Sequence, residues 1–221
     1  MIHYRTKHDA QSSHQQIVRI IKQIHQDPIL DVGSAQGMLG QALLGTGLTM
    51  DAIEPDIRWA QAARPFYRTV YNSTIESVSL PPALYRVIVC GDVLEHLADP
   101  AAALLRLRHA ASSDAVFIIS VPNIAHLSVR LLLLAGLFPR MESGILDKTH
   151  LQFFTRATAM AMLSGSGLKV RAVYATPVPL EQVALPGIIN AIGGVFQRVA
   201  VRMLPTLFAY QWIFIADGTD A

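Results

Sequence analysis

Two groupings of residues in this 221-residue chain have the types and spacing for chemistry. The first is Ile29-Leu30-Asp31-Val32-Gly33-Ser34-Ala35-Gln36-Gly37, answered downstream by Ile53-Glu54-Pro55-Asp56. An apolar strand that ends in a carboxylate and turns through small residues presents backbone N–H groups to a ligand. Glu54 follows Gly37 by 17 residues, room for one helix and one strand, so it ends the second strand of a βαβ unit and can accept from both hydroxyls of a ribose. The glycines stand at Gly33, Gly37 and Gly40, not in the G-x-G-x-x-G spacing that seats a pyrophosphate. Asp31 therefore suits a ligand that carries a cationic amino-acid end. The second grouping is a set of carboxylate–histidine pairs: Glu95-His96 with Asp92 three residues before, and Asp147 with His150. Such pairs can take a proton from a hydroxyl. In the preferred pair Asp147 fixes the tautomer of His150 and leaves the other ring nitrogen as the base. The plainer alternatives are that Asp147 caps a turn, that Glu95 caps a helix and that His96 packs beside the ligand.

These residues need elements to hold them. Residues 9–27 carry a helix with Ile17, Val18, Ile20, Ile21 and Ile24 on one face, expected against the sheet edge. Strands and helices then alternate: Ile29 to Val32, a helix from Gly37 to Leu44, Thr49 to Ile53, a helix from Asp56 to Ala63, and Arg68 to Tyr71. That rhythm means a parallel sheet. Arg86 to Cys90 and Ala115 to Val121 read as buried central strands around a helix over Pro100 to Ala111, with Asp99 as its N-cap. Residues 123–155 exceed what a crossover helix needs and are read as a substrate lid over the strands' carboxyl ends, with His126 as a minor candidate in it.

At this point the chain resembles the class I S-adenosylmethionine-dependent methyltransferases, of the branch that includes ubiquinone-biosynthesis O-methyltransferases. The resemblance rests on the glycine turn, on Val89-Cys90-Gly91-Asp92-Val93-Leu94-Glu95-His96-Leu97-Ala98-Asp99-Pro100, on Ser120-Val121-Pro122-Asn123, and on Gly144 to Thr155 with its Asp147-Lys148-Thr149-His150 core. It implies an α/β fold, a Rossmann-like doubly wound seven-stranded sheet closed by an antiparallel pair over Leu168 to Ala175 and Phe208 to Ala216. It further implies S-adenosylmethionine as cofactor, held by Asp31, Gly33, Ser34, Ala35, Gln36, Gly37, Glu54, Pro55, Thr74, Ile75, Gly91, Asp92 and Val93. His150, Asp147, Glu95 and His96 are then the catalytic candidates. In quinone-pathway relatives the Glu95-His96 neighbourhood is linked to a divalent metal, but these two side chains complete no coordination sphere and no metal set is expected. The chain also departs from the family. Ala35 replaces the middle glycine of the turn, Thr74 stands where an aspartate usually accepts from the adenine amino group, and Arg86 replaces an acidic residue at the start of the fourth strand. These changes are expected to weaken cofactor binding.

A chain that is 52% hydrophobic at this length can bury one large core, so residues 1–221 are read as a single domain. A net charge of +2 with scattered basic residues shows no nucleic-acid stripe. One cysteine, Cys90, excludes an internal disulfide and reads as a packed thiol in a reducing cytoplasm. No leader is expected from the opening residues, and no apolar run reaches membrane-spanning length. Residues 183–205 form an apolar helical segment with Arg198 and Arg202 on one face; residues 183–204 could lie on an anionic membrane surface, cover the sheet or make a homodimer contact. The function expected is O-methylation of a small or lipid-linked hydroxyl compound, sugar-type or phenolic. The alternatives are a non-catalytic scaffold with a weakened cofactor site and, less well supported by the glycine spacing, a nicotinamide dehydrogenase.

Overall fold

Seven strands and the helices between them follow the alternation read from the sequence. A computed structural model describes residues 12–179 and 197–218. In chain order these give α1 (Ser13–Ile24), β1 (Ile29–Val32), α2 (Met38–Ala42), β2 (Met50–Ile53), α3 (Ile57–Ala63), β3 (Thr69–Tyr71), β4 (Tyr85–Gly91), α4 (Pro100–Ala110), β5 (Ala111–Pro122), α5 (Leu127–Leu134), α6 (Arg156–Gly165), β6 (Leu168–Thr176) and β7 (Gln211–Gly218). Short helical turns add Arg64–Phe66, Leu94–His96 and Pro205–Phe208. The strand order is β3-β2-β1-β4-β5-β7-β6. β1 to β5 pair in parallel, and β7 runs antiparallel to both β5 and β6.

Both faces of this sheet are covered, which is why β1 and β2 are buried at every position. One face packs Leu30, Val32, Ile88, Phe117 and Phe214 against Leu104 and Leu107 of α4 and Leu163 of α6. The other packs Val87, Val89, Ile118, Ile213 and Ile215 against Ile17, Val18 and Ile21. Here the expectation for the first helix is corrected: α1 lies across the face of β4, β5 and β7, not at the edge. Its buried isoleucine and valine stripe is the cover that those apolar strand residues require.

The parallel register lines up the strand ends. Val32 stands beside Ile53 on one side and Cys90 on the other, and Gly91 stands beside Ser120. The chain runs outward from β1 to β3 and then returns to place β4 on the opposite flank of β1. The β1/β4 boundary is thus the switch point of the sheet, where the loops diverge and leave a crevice. Among the described residues no helix is long and apolar enough to cross a membrane. Most of residues 183–205 lies outside the described residues. Within the described remainder, residues 197–203 are helical, and Arg198 and Arg202 share a cleft of about 420 Å³ with Gln16 and Tyr174.

Candidate functional site

The glycine turn follows β1 directly and is held from two sides. Glu54, at the end of β2 and 3% exposed, reaches across so that Oε2 accepts from the Ala35 N–H at 2.8 Å, while Oε1 accepts from the Asp56 N–H at 2.9 Å. Burial pushes its carboxyl above the usual range, and these two donations oppose the rise. A carboxylate has about four lone-pair sites, so two remain for a vicinal diol. Asp31, 5% exposed, accepts from the Tyr67 hydroxyl at 2.5 Å. Burial lifts its carboxyl to about 7, with the Glu54 charge adding to the rise and the Tyr67 bond opposing it. Ser34 Oγ is buried at the same turn and has no hydrogen-bond partner among the described residues. Two carboxylates and an orphaned hydroxyl around exposed Gly33 fit a ligand with hydroxyl donors and a cationic group.

The glycines serve the protein as well as the ligand. A Cβ on Gly37, at φ +86, would lie 2.9 Å from the Ala63 Cα, so this glycine lets α2 approach α3. One on Gly33 would meet Val93 Cγ2 at 2.7 Å, which puts Val93 against the turn. Ala35 adopts φ 49, a left-handed conformation that costs a residue with a β-carbon about 1 kcal/mol, and its N–H is the one that Glu54 holds.

The remaining cofactor candidates divide. Gln36 and Pro55 are exposed beside the turn, and Gly91 is half-buried at the end of β4. Asp92 has φ 56; its Oδ1 accepts from Ser120 Oγ at 2.6 Å and its Oδ2 from Gln211 Nε2 at 2.8 Å. Thr74 is exposed, with its hydroxyl 3.4 Å from Ser77 Oγ. Ile75 is buried in the core and only its backbone is turned to polar partners, its carbonyl accepting from Arg106 Nε at 3.1 Å. The Arg86 expectation is corrected: it stands near the amino end of β4, paired with Asp114 at 2.7 Å, at the opposite end of the strand from the crevice. Its substitution takes nothing from a ligand there.

On the other side of the crevice the helical turn after β4 meets the lid. The Glu95 carbonyl accepts from the Leu151 and Gln152 N–H groups at 2.8 and 3.0 Å, and Asn123 Nδ2 anchors the start of the lid to the Ala209 carbonyl at 2.8 Å. Arg140 holds the loop shut on itself by donating to the carbonyls of Asp147, Lys148 and His150. His126 caps α5, its Nδ1 accepting from the Ser128 N–H at 3.3 Å.

This junction brings three of the four catalytic candidates together. The His96 and His150 rings stand edge to face with centroids 4.8 Å apart. Ligand atoms of Glu95, His96 and His150 all lie within 4.8 Å of one another. The fourth candidate is placed differently from the expected pair. Asp147 Oδ1 accepts from the Thr149 N–H at 2.8 Å and from its hydroxyl at 2.7 Å, capping the turn, while His150 Nδ1 sits 3.1 Å from the Ile145 carbonyl. The short Asp147 side chain bonds locally because the nearest N–H is two residues on. A carbonyl only accepts, so Ile145, not Asp147, puts the proton on Nδ1 and leaves the His150 Nε2 lone pair open. His96 Nδ1 faces the Thr149 carbonyl at 3.3 Å with the same consequence. Burial and the neighbouring His96 hold the His150 imidazole below its usual pKa, against the Ile145 bond. Burial pushes Asp147 up, but the Thr149 donations win and leave it lowered. Two open imidazole nitrogens beside a carboxylate that is 1% exposed can accept a proton or hold a divalent cation.

Sequence reasoning does not find Tyr67, Gln211 or Arg140, and it marks Ser120 only as part of a motif, not as the partner of Asp92. The partners of Tyr67, Ser120 and Gln211 lie 36, 28 and 119 residues away, too far for a local pattern to pair them. Arg140 has local partners, but its role exists only in the folded loop.

A family model for a methyltransferase domain matches residues 4–173. No curated protein matches the chain. Solved structures resemble it in fold. An S-adenosylmethionine-dependent methyltransferase from Archaeoglobus fulgidus is 15% identical with a TM-score of 0.61, over 92% of this chain and 94% of its own. Magnesium protoporphyrin IX methyltransferase from Synechocystis, solved with S-adenosylhomocysteine, is 16% identical with a TM-score of 0.65, over 95% and 83%. The 1,6-didemethyltoxoflavin N1-methyltransferase from Burkholderia thailandensis is 14% identical with a TM-score of 0.62, over 95% and 80%.

Proposed function

The chain belongs to the methyltransferase-domain family, and on that premise we propose that it moves the sulfonium methyl of S-adenosylmethionine to a hydroxyl oxygen of a small or lipid-linked acceptor, sugar-type or phenolic. The turn from Gly33 to Gly37 takes the amino-acid arm of the donor, Asp31 meets its ammonium group and Glu54 takes the ribose hydroxyls. In the reaction an oxygen lone pair forms the new bond to the methyl carbon, the carbon–sulfur bond breaks, and its electron pair leaves with sulfur as a neutral thioether. The electrophile arrives activated, so the protein aligns the two partners and excludes water. A hydroxyl nucleophile must also lose its proton, and His150 Nε2 receives it.

The observation that carries the oxygen assignment is the His96–His150–Glu95 cluster. A nitrogen nucleophile that is already unprotonated needs no such base; a hydroxyl does. A lipid-linked or aromatic acceptor is supported by the lid, where Leu131, Leu133, Leu134, Leu137, Phe138 and Met141 are exposed and the Phe138 and Phe153 rings stand 5.5 Å apart. Peripheral membrane contact or a homodimer contact through residues 183–204 belongs to the same proposal.

A second reading of the cluster is favoured by its geometry. Both Nδ1 atoms face backbone carbonyls, as in histidines that ligate metal through Nε2, so Glu95, His96 and His150 would hold a divalent cation. When bound, the cation would lower the pKa of the acceptor hydroxyl. Dialysis against a chelator separates the readings: full activity afterwards leaves the base, whereas loss restored by added magnesium or zinc assigns the metal.

The whole proposal is tested by incubating the protein with metabolite extract and isotopically labelled methyl donor, then identifying what gains label. A labelled methyl ether supports it, and a labelled methyl ester, made from a carboxylate that needs no base, overturns the hydroxyl assignment. Label on nitrogen or carbon overturns the oxygen assignment, and no label together with no donor binding favours a scaffold.

A further inference from the structure

The side chain that ties the donor end together is Tyr67, and neither the turn nor the acceptor cluster accounts for it. Its hydroxyl donates to Asp31 Oδ2 at 2.5 Å and accepts from the Gly40 N–H at 3.0 Å. The directions follow from counting protons. The amide can only donate, so it takes a phenol lone pair, and the single phenol proton goes to the carboxylate. Burial pushes the Tyr67 hydroxyl well above its usual pKa, which keeps that proton in place. Gly40 lies in the first turn of α2, where helical N–H groups have no partner within their helix. A Cβ there would lie 2.8 Å from Tyr67 Cζ, so glycine is what lets the phenol reach the helix. Tyr67 therefore joins the end of β1, the first turn of α2 and the start of β3.

The consequence concerns charge. The groups that act on Asp31 are the Tyr67 hydroxyl, a neutral donor, and the Glu54 carboxylate, while the Cys90 thiol feels the Asp31 charge from β4. Among the described residues no cation acts on Asp31. Two buried carboxylates steadied only by neutral donors make a place that gains from a positive ligand group. Tyr67 does more than fill space there, because one oxygen of Asp31 is fixed by it and the other is thereby oriented.

We propose that Tyr67 is a positioning residue that aims the Asp31 carboxylate at the ammonium group of the donor's amino-acid arm, and that this pair makes the site prefer ligands bearing that arm over nucleosides without it. This rests on the cofactor reading given above. Tyr67 touches neither the ligand nor the reacting atoms; it acts through Asp31.

The test is calorimetric titration with S-adenosylhomocysteine and with 5′-methylthioadenosine, which keeps the nucleoside and lacks the amino-acid arm. Loss of a hydrogen bond to a charged group is worth about a factor of ten in affinity. Tyr67→Phe is expected to weaken S-adenosylhomocysteine by about tenfold and to leave 5′-methylthioadenosine within about twofold. In an Asp31→Asn background the same change should cost less than about twofold, because the two residues act as one unit. Equal weakening of both ligands would reveal a merely structural tyrosine and overturn the proposal, as would losses that multiply in the double variant. Should Tyr67→Phe fail to fold, the wild type decides: its affinity for S-adenosylhomocysteine rises from pH 6 to 8 while that for 5′-methylthioadenosine stays flat, and parallel curves overturn the proposal. A wild type that binds neither ligand overturns the cofactor reading itself, whereas one that binds both equally overturns only the role given to Tyr67.

Discussion

The two rims of the crevice are built differently. On the donor rim the working groups are buried side chains at the ends of adjacent strands. Glu54 reaches the turn 19 residues before it, and β1 and β2 stand in register beneath both. On the acceptor rim His96 and His150 come from segments 54 residues apart (150 − 96), and the lid reaches the sheet mainly through backbone hydrogen bonds to Glu95 and through Asn123. Leu134 in the lid is 85% exposed. A rigid site set in a sheet serves a ligand that never changes, while an insertion held at its ends can vary with the acceptor. The donor rim is thus set by the sheet, and the acceptor rim by the lid docked on it.

If that division holds, substitutions on one rim leave the other unaffected. The largest separation is expected for His150→Ala. Turnover of the labelled acceptor should fall by roughly 10² to 10⁴-fold, the usual contribution of a positioned base, with donor affinity by calorimetry unchanged within about twofold. A parallel loss of donor binding would join the two rims into one unit. Glu54→Ala should do the reverse, lowering donor affinity by about a hundredfold and the melting temperature with it. The substitution removes the acceptor of two backbone N–H groups as well as the ribose contact.

A smaller effect sharpens the donor side through pH. The folded Asp31 carboxyl lies at about 7, above its unfolded value of 3.8, so folding favours its protonated form. Its contribution to stability is complete below about pH 4 and is lost as pH rises through 7. The melting temperature of the ligand-free protein should therefore fall between pH 5 and 8, and Asp31→Asn should flatten that slope. Donor affinity should rise over the same window, since the ammonium group needs the carboxylate. The smallest effect is expected for Arg86→Ala, at the far end of β4: no measurable change in donor affinity or melting temperature, because an exposed ion pair contributes little.

Much of the donor rim was legible because its signals are short in sequence. The apolar strand, the small-residue turn and the carboxylate one βα unit later specify Gly33, Gly37 and Glu54 together, and alternation of strands and helices gives the parallel sheet. The antiparallel terminal pair came from resemblance, and the strand order only from the structure, since composition does not encode pairing. What was not legible depends on packing. Nothing near Asp31 announces Tyr67, and Glu54 reads as a ribose ligand without showing that it also ties the turn. The Asp147–His150 spacing invited a pair, yet a side chain as short as aspartate finds its own turn first. α1 was misplaced because an amphipathic stripe shows that a face is buried without showing against which strands. Arg86 looked like a loss to the cofactor site until the strand's direction put it at the other end.

The most direct test of the central claim is a crystal structure of the protein soaked with S-adenosylhomocysteine. The account predicts the ribose hydroxyls on the Glu54 carboxylate, the amino-acid arm along Gly33 to Gly37 and its ammonium group beside Asp31. An empty crevice at saturating ligand, with Glu54 still bonded only to the Ala35 and Asp56 N–H groups, would contradict it.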